Sequence, residues 1–221
     1  MLPAKLPEPP PLVAALHCFL DKRPHDALAH LQHYDKVNQD LLLVLLPLAG
    51  RLTEGSLDQA SPAEVALLVE QLERLLHPLR LRASLVIDTM CFCRRIGKFG
   101  DYEPLPSDHS FKPGDLAQVY VELRNFSTEQ RDPYYLTHLS STLEIHDFTG
   151  KTVWRQDFPE DRTRPDRSRS LRHDYFNNYR FCVPEVPAGA YTLWVQITDH
   201  GPHGKRTVRR SLDFRVTHPA R

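Results

Sequence analysis

The sequence predicts an α+β chain in which a helical bundle, residues 1–82, packs on a seven-stranded antiparallel β-sandwich, residues 83–221. Two observations support this fold class. Apolar residues recur every three or four positions up to about residue 82 and every second position from residue 84 onward. Strands do not alternate with helices along the chain, so the parallel sheets of doubly wound folds and barrels are excluded.

Two apolar stripes predict the first two helices. Pro24 stands in the first turn of the second helix, where a proline is tolerated because its missing N–H would have no partner inside the helix. The stripes contain Leu12, Leu16, Phe19 and Leu20, and then Ala27, Leu28, Leu31 and Tyr34.

The next two helices are predicted from a different pair of signals. Six consecutive apolar residues, Leu41–Leu46, indicate a central helix that is buried on every side, and Pro47 is expected to kink or end it. Ser61, Pro62 and Glu64 then provide an N-cap, a first-turn proline and a capping-box glutamate for the last helix. Its stripe contains Val65, Leu68, Leu72, Leu75, Leu76 and Leu79.

Period-two patterns separated by glycine- and proline-containing turns predict seven strands. The first covers residues 84–93, so the switch from helix to strand comes before Ile87. The remaining six lie within Leu116–Phe126, Leu143–Ile145, Thr152–Trp154, Leu171–Val183, Tyr191–Ile197 and Val208–Val216. The arginine-rich stretch Pro159–His173 predicts a long connection, and Asp199–His203 predicts a polar loop.

The composition excludes several classes of partner. Lys plus Arg and Asp plus Glu both number 28, so the net charge of zero gives no general attraction to nucleic acid or to an anionic membrane. No apolar run approaches 18 residues, so no membrane span is expected. The same zero net charge leaves little repulsion against a second copy of the chain. We therefore expect protein partners, with homo-oligomers among them.

The N-terminal sequence and the cysteines together predict the cellular location. The proline-rich start of the chain does not resemble a signal peptide, and four cysteines are too few for a disulfide scaffold of this length. Free thiols indicate a reducing compartment, so we expect a cytoplasmic protein. We also expect no cofactor. Cys91 and Cys93 are the weak metal candidates, because thiols two residues apart on a strand point the same way. Buried thiols that act as small apolar residues are the alternative.

One loop has the composition of a binding surface. Arg131, Tyr134 and Tyr135 combine an arginine with paired tyrosines around Asp132-Pro133. Arginine and tyrosine are enriched in the residues that dominate binding energy at interfaces. The alternative is that one tyrosine folds back onto the sheet. No nucleophile elbow, phosphate-binding loop or zinc-protease motif occurs in the sequence, so no enzymatic activity is expected.

Two segments of the strand-rich half resemble known sandwiches. The run from Pro187 to Val195 resembles strand F of immunoglobulin-like and fibronectin-III-like domains, with Tyr191 placed as a tyrosine-corner residue. The hairpin from Leu143 to Arg155 resembles one in bacterial intracellular proteinase-inhibitor sandwiches. The resemblance implies an immunoglobulin-like sandwich in which the Tyr191 hydroxyl reaches a backbone group in the 185–188 turn. The whole chain is also similar to bacterial proteins of uncharacterised activity, which implies none.

Three functions follow as hypotheses. The leading one is a non-enzymatic protein-interaction or scaffold module. The second is a proteinase-inhibitor-like protein that binds through the sandwich loops. The third is a metalloprotein or hydrolase whose site forms where the helices meet the sandwich. Sandwich folds host many functions, so the predicted fold alone does not choose among them.

Overall fold

The computed structural model describes residues 9–54, 57–159, 166–202 and 204–218. Helices form the N-terminal part and strands the remainder, so the chain is α+β. It divides into two compact units, Met1–Leu79 and Arg80–Arg221, which we call the helical unit and the strand unit. Among the described residues, none of the helices has the length and the apolarity that crossing a membrane requires.

The helices are α1 (Pro11–Leu20), α2 (Pro24–Leu31), α3 (Lys36–Glu54) and α4 (Pro62–Arg82), with a short 3-10 helix at Leu57–Gln59. The predicted capping box of α4 is confirmed. The backbone N–H of Ser61 donates to the Glu64 carboxylate at 2.8 Å, and the Ser61 hydroxyl accepts the N–H of Glu64 at 3.3 Å. These two bonds satisfy donors that have no partner inside the helix.

The core of the helical unit differs in detail from the predicted stripes. Leu12, Leu20 and Leu28 are exposed, whereas the small residues Ala15 and Cys18 are buried. Leu16 and Phe19 pack against the core as predicted, and the small side chains let a neighbouring helix approach closely. The core consists of Ala15, Cys18, Ala27, Leu31, Leu42 and Leu46.

Helix α3 corrects two expectations. Only Leu42 and Leu46 of its apolar run belong to the core, while Leu43 and Leu45 are exposed, so the helix is not buried on every side. Residues four apart lie on one face of a helix, so Leu42 and Leu46 place a single face of α3 in the core that it shares with α1 and α2. The helix also continues through Pro47 to Glu54 instead of ending there. A proline removes one backbone donor, and the remaining bonds maintain the helix on both sides.

Within the described residues twelve strands follow, where seven were predicted. All seven predicted strands are present: β1 (Val86–Ile96), β4 (Leu116–Arg124), β7 (Leu139–Asp147), β8 (Thr152–Phe158), β10 (Tyr175–Cys182), β11 (Gly189–Asp199) and β12 (Arg206–Val216). The five missed strands are β2 (Tyr102–Pro104), β3 (Ser110–Phe111), β5 (Glu129–Arg131), β6 (Tyr134–Thr137) and β9 (Asp166–Ser168). Each has two to four residues, too few for an alternating pattern to develop.

The strands form three sheets. Their orders are β10-β4-β1-β2, β3-β12-β11-β7-β8 and β5-β6-β9. The expected purely antiparallel arrangement is wrong at one edge, where β3 pairs parallel with β12 over two residues. The predicted connection Pro159–His173 contributes β9 from its described part, and residues 160–165 lie outside the described residues.

One apolar core joins the four-stranded and five-stranded sheets. Alternate residues of β4 and β11 enter it, among them Val119, Val121, Leu193 and Val195, all with no exposed surface. The predicted switch from helix to strand before Ile87 is confirmed, because β1 begins at Val86. The predicted contact of Tyr191 is also confirmed, since its hydroxyl donates to the carbonyl of Pro187 at 2.8 Å.

Candidate functional site

Helix α4 carries a stripe of exposed apolar side chains. Its members follow one another at intervals of four, three, four and three residues, which places them on one face of a helix. Each exposes between 40% and 48% of its surface. The α4 stripe consists of Val65, Val69, Leu72, Leu76 and Leu79. This spacing is the one by which two helices pack side by side in a coiled coil.

The remainder of α4 has a different environment. Leu68 is buried, whereas Leu67 is 43% exposed and lies on the side of the helix opposite the stripe. Among the described side chains, α4 contributes none to the core that α1, α2 and α3 share. The sequence predicts an internal face of the bundle for Val65, Leu72, Leu76 and Leu79, and that prediction is wrong for these four exposed residues.

The helical unit holds most of the exposed apolar surface. Among the described residues, 17 large apolar side chains are exposed, and 13 of them lie before residue 80. The strand unit contributes the other four: Val86, Phe99, Leu116 and Phe148. Exposed apolar residues are normal when scattered, but a continuous patch is typical of an interaction surface.

The tyrosine loop predicted as a binding surface forms the hairpin between β5 and β6. Tyr134 and Tyr135 are half-buried at the start of β6, and the Arg131 side chain donates to Glu129 at 2.8 Å. Tyr135 also pairs in register with Ser168 of β9. The structure brings the three residues together at one hairpin, and binding at this hairpin stays a prediction.

The two candidate thiols lie side by side on β1. Phe92 packs against the core, so Cys91 and Cys93 point to the opposite face of the four-stranded sheet. Their sulfur atoms are 3.5 Å apart, and neither is in a disulfide. Burial raises the pKa of Cys91 and raises that of Cys93 to about 12. Both groups are therefore neutral thiols at pH 7, and neither is an activated nucleophile.

A buried ion pair joins the ends of three segments within the strand unit. The Asp199 carboxylate has no exposed surface and accepts Arg206 Nη2 at 2.6 Å, the N–H of Ser127 at 2.8 Å and that of Gly201 at 3.0 Å. Arg206 also donates to the carbonyl of Ala83 at 2.8 Å, which holds the segment between α4 and β1.

Sequence reasoning missed this pair because it assigned Asp199–His203 to a polar loop. Asp199 is instead the last residue of β11, and His203 lies outside the described residues. One signal was available in the sequence. Asp199 continues the inward-facing positions Tyr191, Leu193, Val195 and Ile197, so its carboxylate had to be buried and required a cation.

An open cleft of about 560 Å³ lies at the end of the five-stranded sheet, beside the exposed ring of Phe148. Two of its carboxylates are already engaged. The Thr149 hydroxyl lowers the pKa of Asp147 most, followed by the N–H groups of Lys151 and Thr149, which also donate to it. The Thr192 hydroxyl donates to Asp213. These groups stabilise a turn and a strand pair. Across the described ranges, no group of three or more His, Cys, Asp or Glu side chains is placed to hold a metal ion.

Comparison with known proteins gives weak structural likeness. No family model matches the chain, and no curated protein matches it. The C-terminal domain of Wzt is 12% identical with a TM-score of 0.41, over 62% of this chain and 76% of that one. A Pseudomonas fluorescens alkylpurine DNA glycosylase, AlkC, bound to DNA containing an abasic site analogue is 10% identical with a TM-score of 0.34. That match covers 90% of this chain and 52% of the glycosylase, so the chain spans about half of that enzyme's length.

Proposed function

We propose that the protein is a non-enzymatic protein-interaction module in which the helical unit is the docking element and the strand unit is the scaffold. The observation that carries this proposal is the α4 stripe, five apolar side chains exposed on one face of a 21-residue helix. An amphipathic helix normally buries such a face against another element. A face left exposed is therefore available to a partner.

The scaffold in this proposal is an immunoglobulin-like sandwich. Two features of the strand unit support it: the four-stranded and five-stranded sheets share one core, and Tyr191 makes the bond of a tyrosine corner. A rigid core of this kind can present helices and loops without changing shape itself. The scaffold role requires no catalytic group.

The occupant of the α4 stripe is a second copy of the chain. A stripe with intervals of four and three residues matches another stripe with the same intervals, so α4 is complementary to itself. The chain has 28 basic and 28 acidic residues, so two copies do not repel each other through net charge. A symmetric pair also closes on itself and leaves no second stripe exposed.

The exposed area predicts how strong the pair is. Five Val and Leu side chains that are about 40–48% exposed offer roughly 350 Å² per chain, well below the roughly 800 Å² per partner of a standard interface. An interface of this size belongs to the weak, transient class. We therefore expect a weak, reversible dimer.

Sedimentation velocity on the full chain over a range of concentrations tests the proposal. Leu72→Glu places a charge inside the stripe and should make the protein monomeric at every concentration. Leu67→Glu is the matched control, because Leu67 has the same 43% exposure on the opposite side of α4. It should dimerise like the wild type.

Circular dichroism on both variants verifies that α4 remains helical. A wild type that stays monomeric to several hundred micromolar contradicts self-association as the function of the stripe. Equal loss of dimer in both variants contradicts the stripe as its location.

A further inference from the structure

The Cys91 and Cys93 thiols form a pair with a geometry suited to a ligand. Their sulfur atoms are 3.5 Å apart, Cys91 is half-buried, and Cys93 is only 3% exposed. They lie on the face of β1 that is turned away from the core, next to each other along one strand. A ligand can therefore reach the pair from the side of Cys91 and bond to both sulfurs.

The geometry of the thiol pair suits neither a disulfide nor a structural zinc site. A disulfide requires its sulfurs to lie about 2.0 Å apart, and neighbouring side chains on one face of a strand run parallel instead of converging. A structural zinc ion requires four ligands, and the described residues place no third His, Cys, Asp or Glu with this pair. Zinc also requires thiolates, whereas burial keeps both thiols protonated by raising their pKa values.

We propose that Cys91 and Cys93 form a bidentate binding site for uncharged trivalent arsenicals. An atom bonded to both sulfurs at about 2.3 Å, a typical metal–thiolate length, with a bond angle of about 100°, holds them about 3.5 Å apart. The observed separation therefore needs no rearrangement of β1.

The chemistry balances without an oxidant or a base. An arsenic(III) oxide or hydroxide exchanges its As–O bonds for two As–S bonds, and the two thiol protons leave with the oxygen as water. Arsenic stays trivalent, and no net charge enters the site. Neutral, buried thiols thus disfavour a divalent cation but do not oppose this exchange.

The surroundings favour an arsenical with an aromatic substituent. Tyr120 is the cross-strand neighbour of Cys91, and its ring stacks on Tyr102 at 4.1 Å between centroids. Phe176 lies 5.5 Å from the Tyr120 ring, and Phe99 lies 6.4 Å from Phe176. Tyr120 itself has no exposed surface, so the half-buried Tyr102 is the neighbouring ring that a bound aromatic group can contact. Phenylarsine oxide is therefore the probe of choice.

The test is retention of phenylarsine oxide by the full-length protein in excess glutathione, measured by intact-protein mass spectrometry. We expect one equivalent per chain to be retained, and to be released by a small dithiol such as dimercaptopropanol. Cys91→Ala and Cys93→Ala should each weaken retention about 100-fold or more, because a single As–S bond loses the advantage of chelation. Cys182→Ala, which removes an exposed thiol, should retain the probe like the wild type.

A second measurement keeps the proposal testable if a variant unfolds. The wild type is incubated with the probe, unfolded, alkylated and mapped by mass spectrometry. Cys91 and Cys93 should be protected from alkylation, and Cys18 and Cys182 should not. Failure of the native wild type to retain the probe, or protection centred on Cys18 or Cys182, overturns the proposal.

Discussion

The Asp199–Arg206 pair should contribute more to stability than any exposed ion pair of the chain. Asp199→Asn keeps the size of the side chain and removes its charge, and it replaces one of the two carboxylate oxygens, which together accept bonds from three donors, with an NH2 group. Those donors are the N–H groups of Ser127 and Gly201 and the Arg206 guanidinium. The substitution therefore leaves buried donors without a good acceptor.

The expected magnitude follows from burial. Asp199 has no exposed surface and the Arg206 side chain is 17% exposed, so solvent replaces neither partner when the pair is broken. Removing one member of a buried pair costs about 3–5 kcal/mol of the free energy of unfolding. The Arg155–Asp157 pair has a similar distance, 2.9 Å, but both side chains are more than half exposed. Asp157→Asn should cost far less, because solvent screens both partners and replaces the lost interaction.

Urea unfolding followed by tryptophan fluorescence measures both values. The two tryptophans, Trp154 and Trp194, lie on β8 and β11, so the signal reports the strand unit alone. The slope of the free energy against urea concentration should be the same in both variants. Equal losses from Asp199→Asn and Asp157→Asn would refute the reasoning, because only the buried pair involves backbone donors whose bonds solvent cannot replace.

Three further predictions concern the strand unit. Gly201→Ala should lower the free energy of unfolding by about 1–3 kcal/mol in urea titration, because the added methyl group collides with the Ser127 side chain. Gly189→Ala is the control and should be nearly neutral, because its methyl group makes an ordinary 3.8 Å contact with the Tyr191 ring. Tyr191→Phe should cost about 1 kcal/mol in the same assay, because the bond to a backbone carbonyl is lost, and no change would end the tyrosine-corner interpretation. Burial raises the pKa of Cys93 from 9.0 to about 12, so the unfolded chain loses this proton first and stability should fall as pH rises from 9 toward 12. Cys93→Ala should have a shallower fall than the wild type, and parallel pH profiles would contradict the assignment.

Much of the strand unit could be predicted from the sequence. The seven longer strands contain enough residues for an alternating pattern. In the helical unit, Ser61 and Glu64 likewise predict the start of α4. A cap and a two-residue period are local properties, so a window of ten residues contains them. The five short strands lack such a pattern, and their pairing depends on neighbours that are distant in the sequence.

The candidate site was harder to predict. The stripe of α4 is visible in the sequence, but a stripe has the same appearance whether it faces a core or a partner. Only the exposure of Leu72 and its neighbours distinguishes the two cases. The thiol pair was anticipated from its spacing, whereas its 3.5 Å sulfur separation and its aromatic neighbours on β2 and β4 are visible only in the structure. Asp199 was assigned to a loop because it adjoins the turn signal His200-Gly201-Pro202, and its cation comes from the next strand.

The predicted packing of the helices on the strand unit stays a prediction, and it competes with self-association for the apolar surface of the helices. The two readings differ in concentration dependence. Packing within one chain does not change with protein concentration, whereas self-association does.

Crosslinking between identical chains tests the central claim most directly. Leu72→Cys is introduced in a Cys182→Ser background. The protein is treated with a short bismaleimide over the range of concentrations used in the sedimentation experiment. The account predicts a covalent dimer linked through position 72 in both chains, whose yield rises with protein concentration. A cysteine at position 67, on the opposite face of α4, should give little. Equal dimer yields from positions 67 and 72, or no dimer from position 72 at any concentration, would contradict the account.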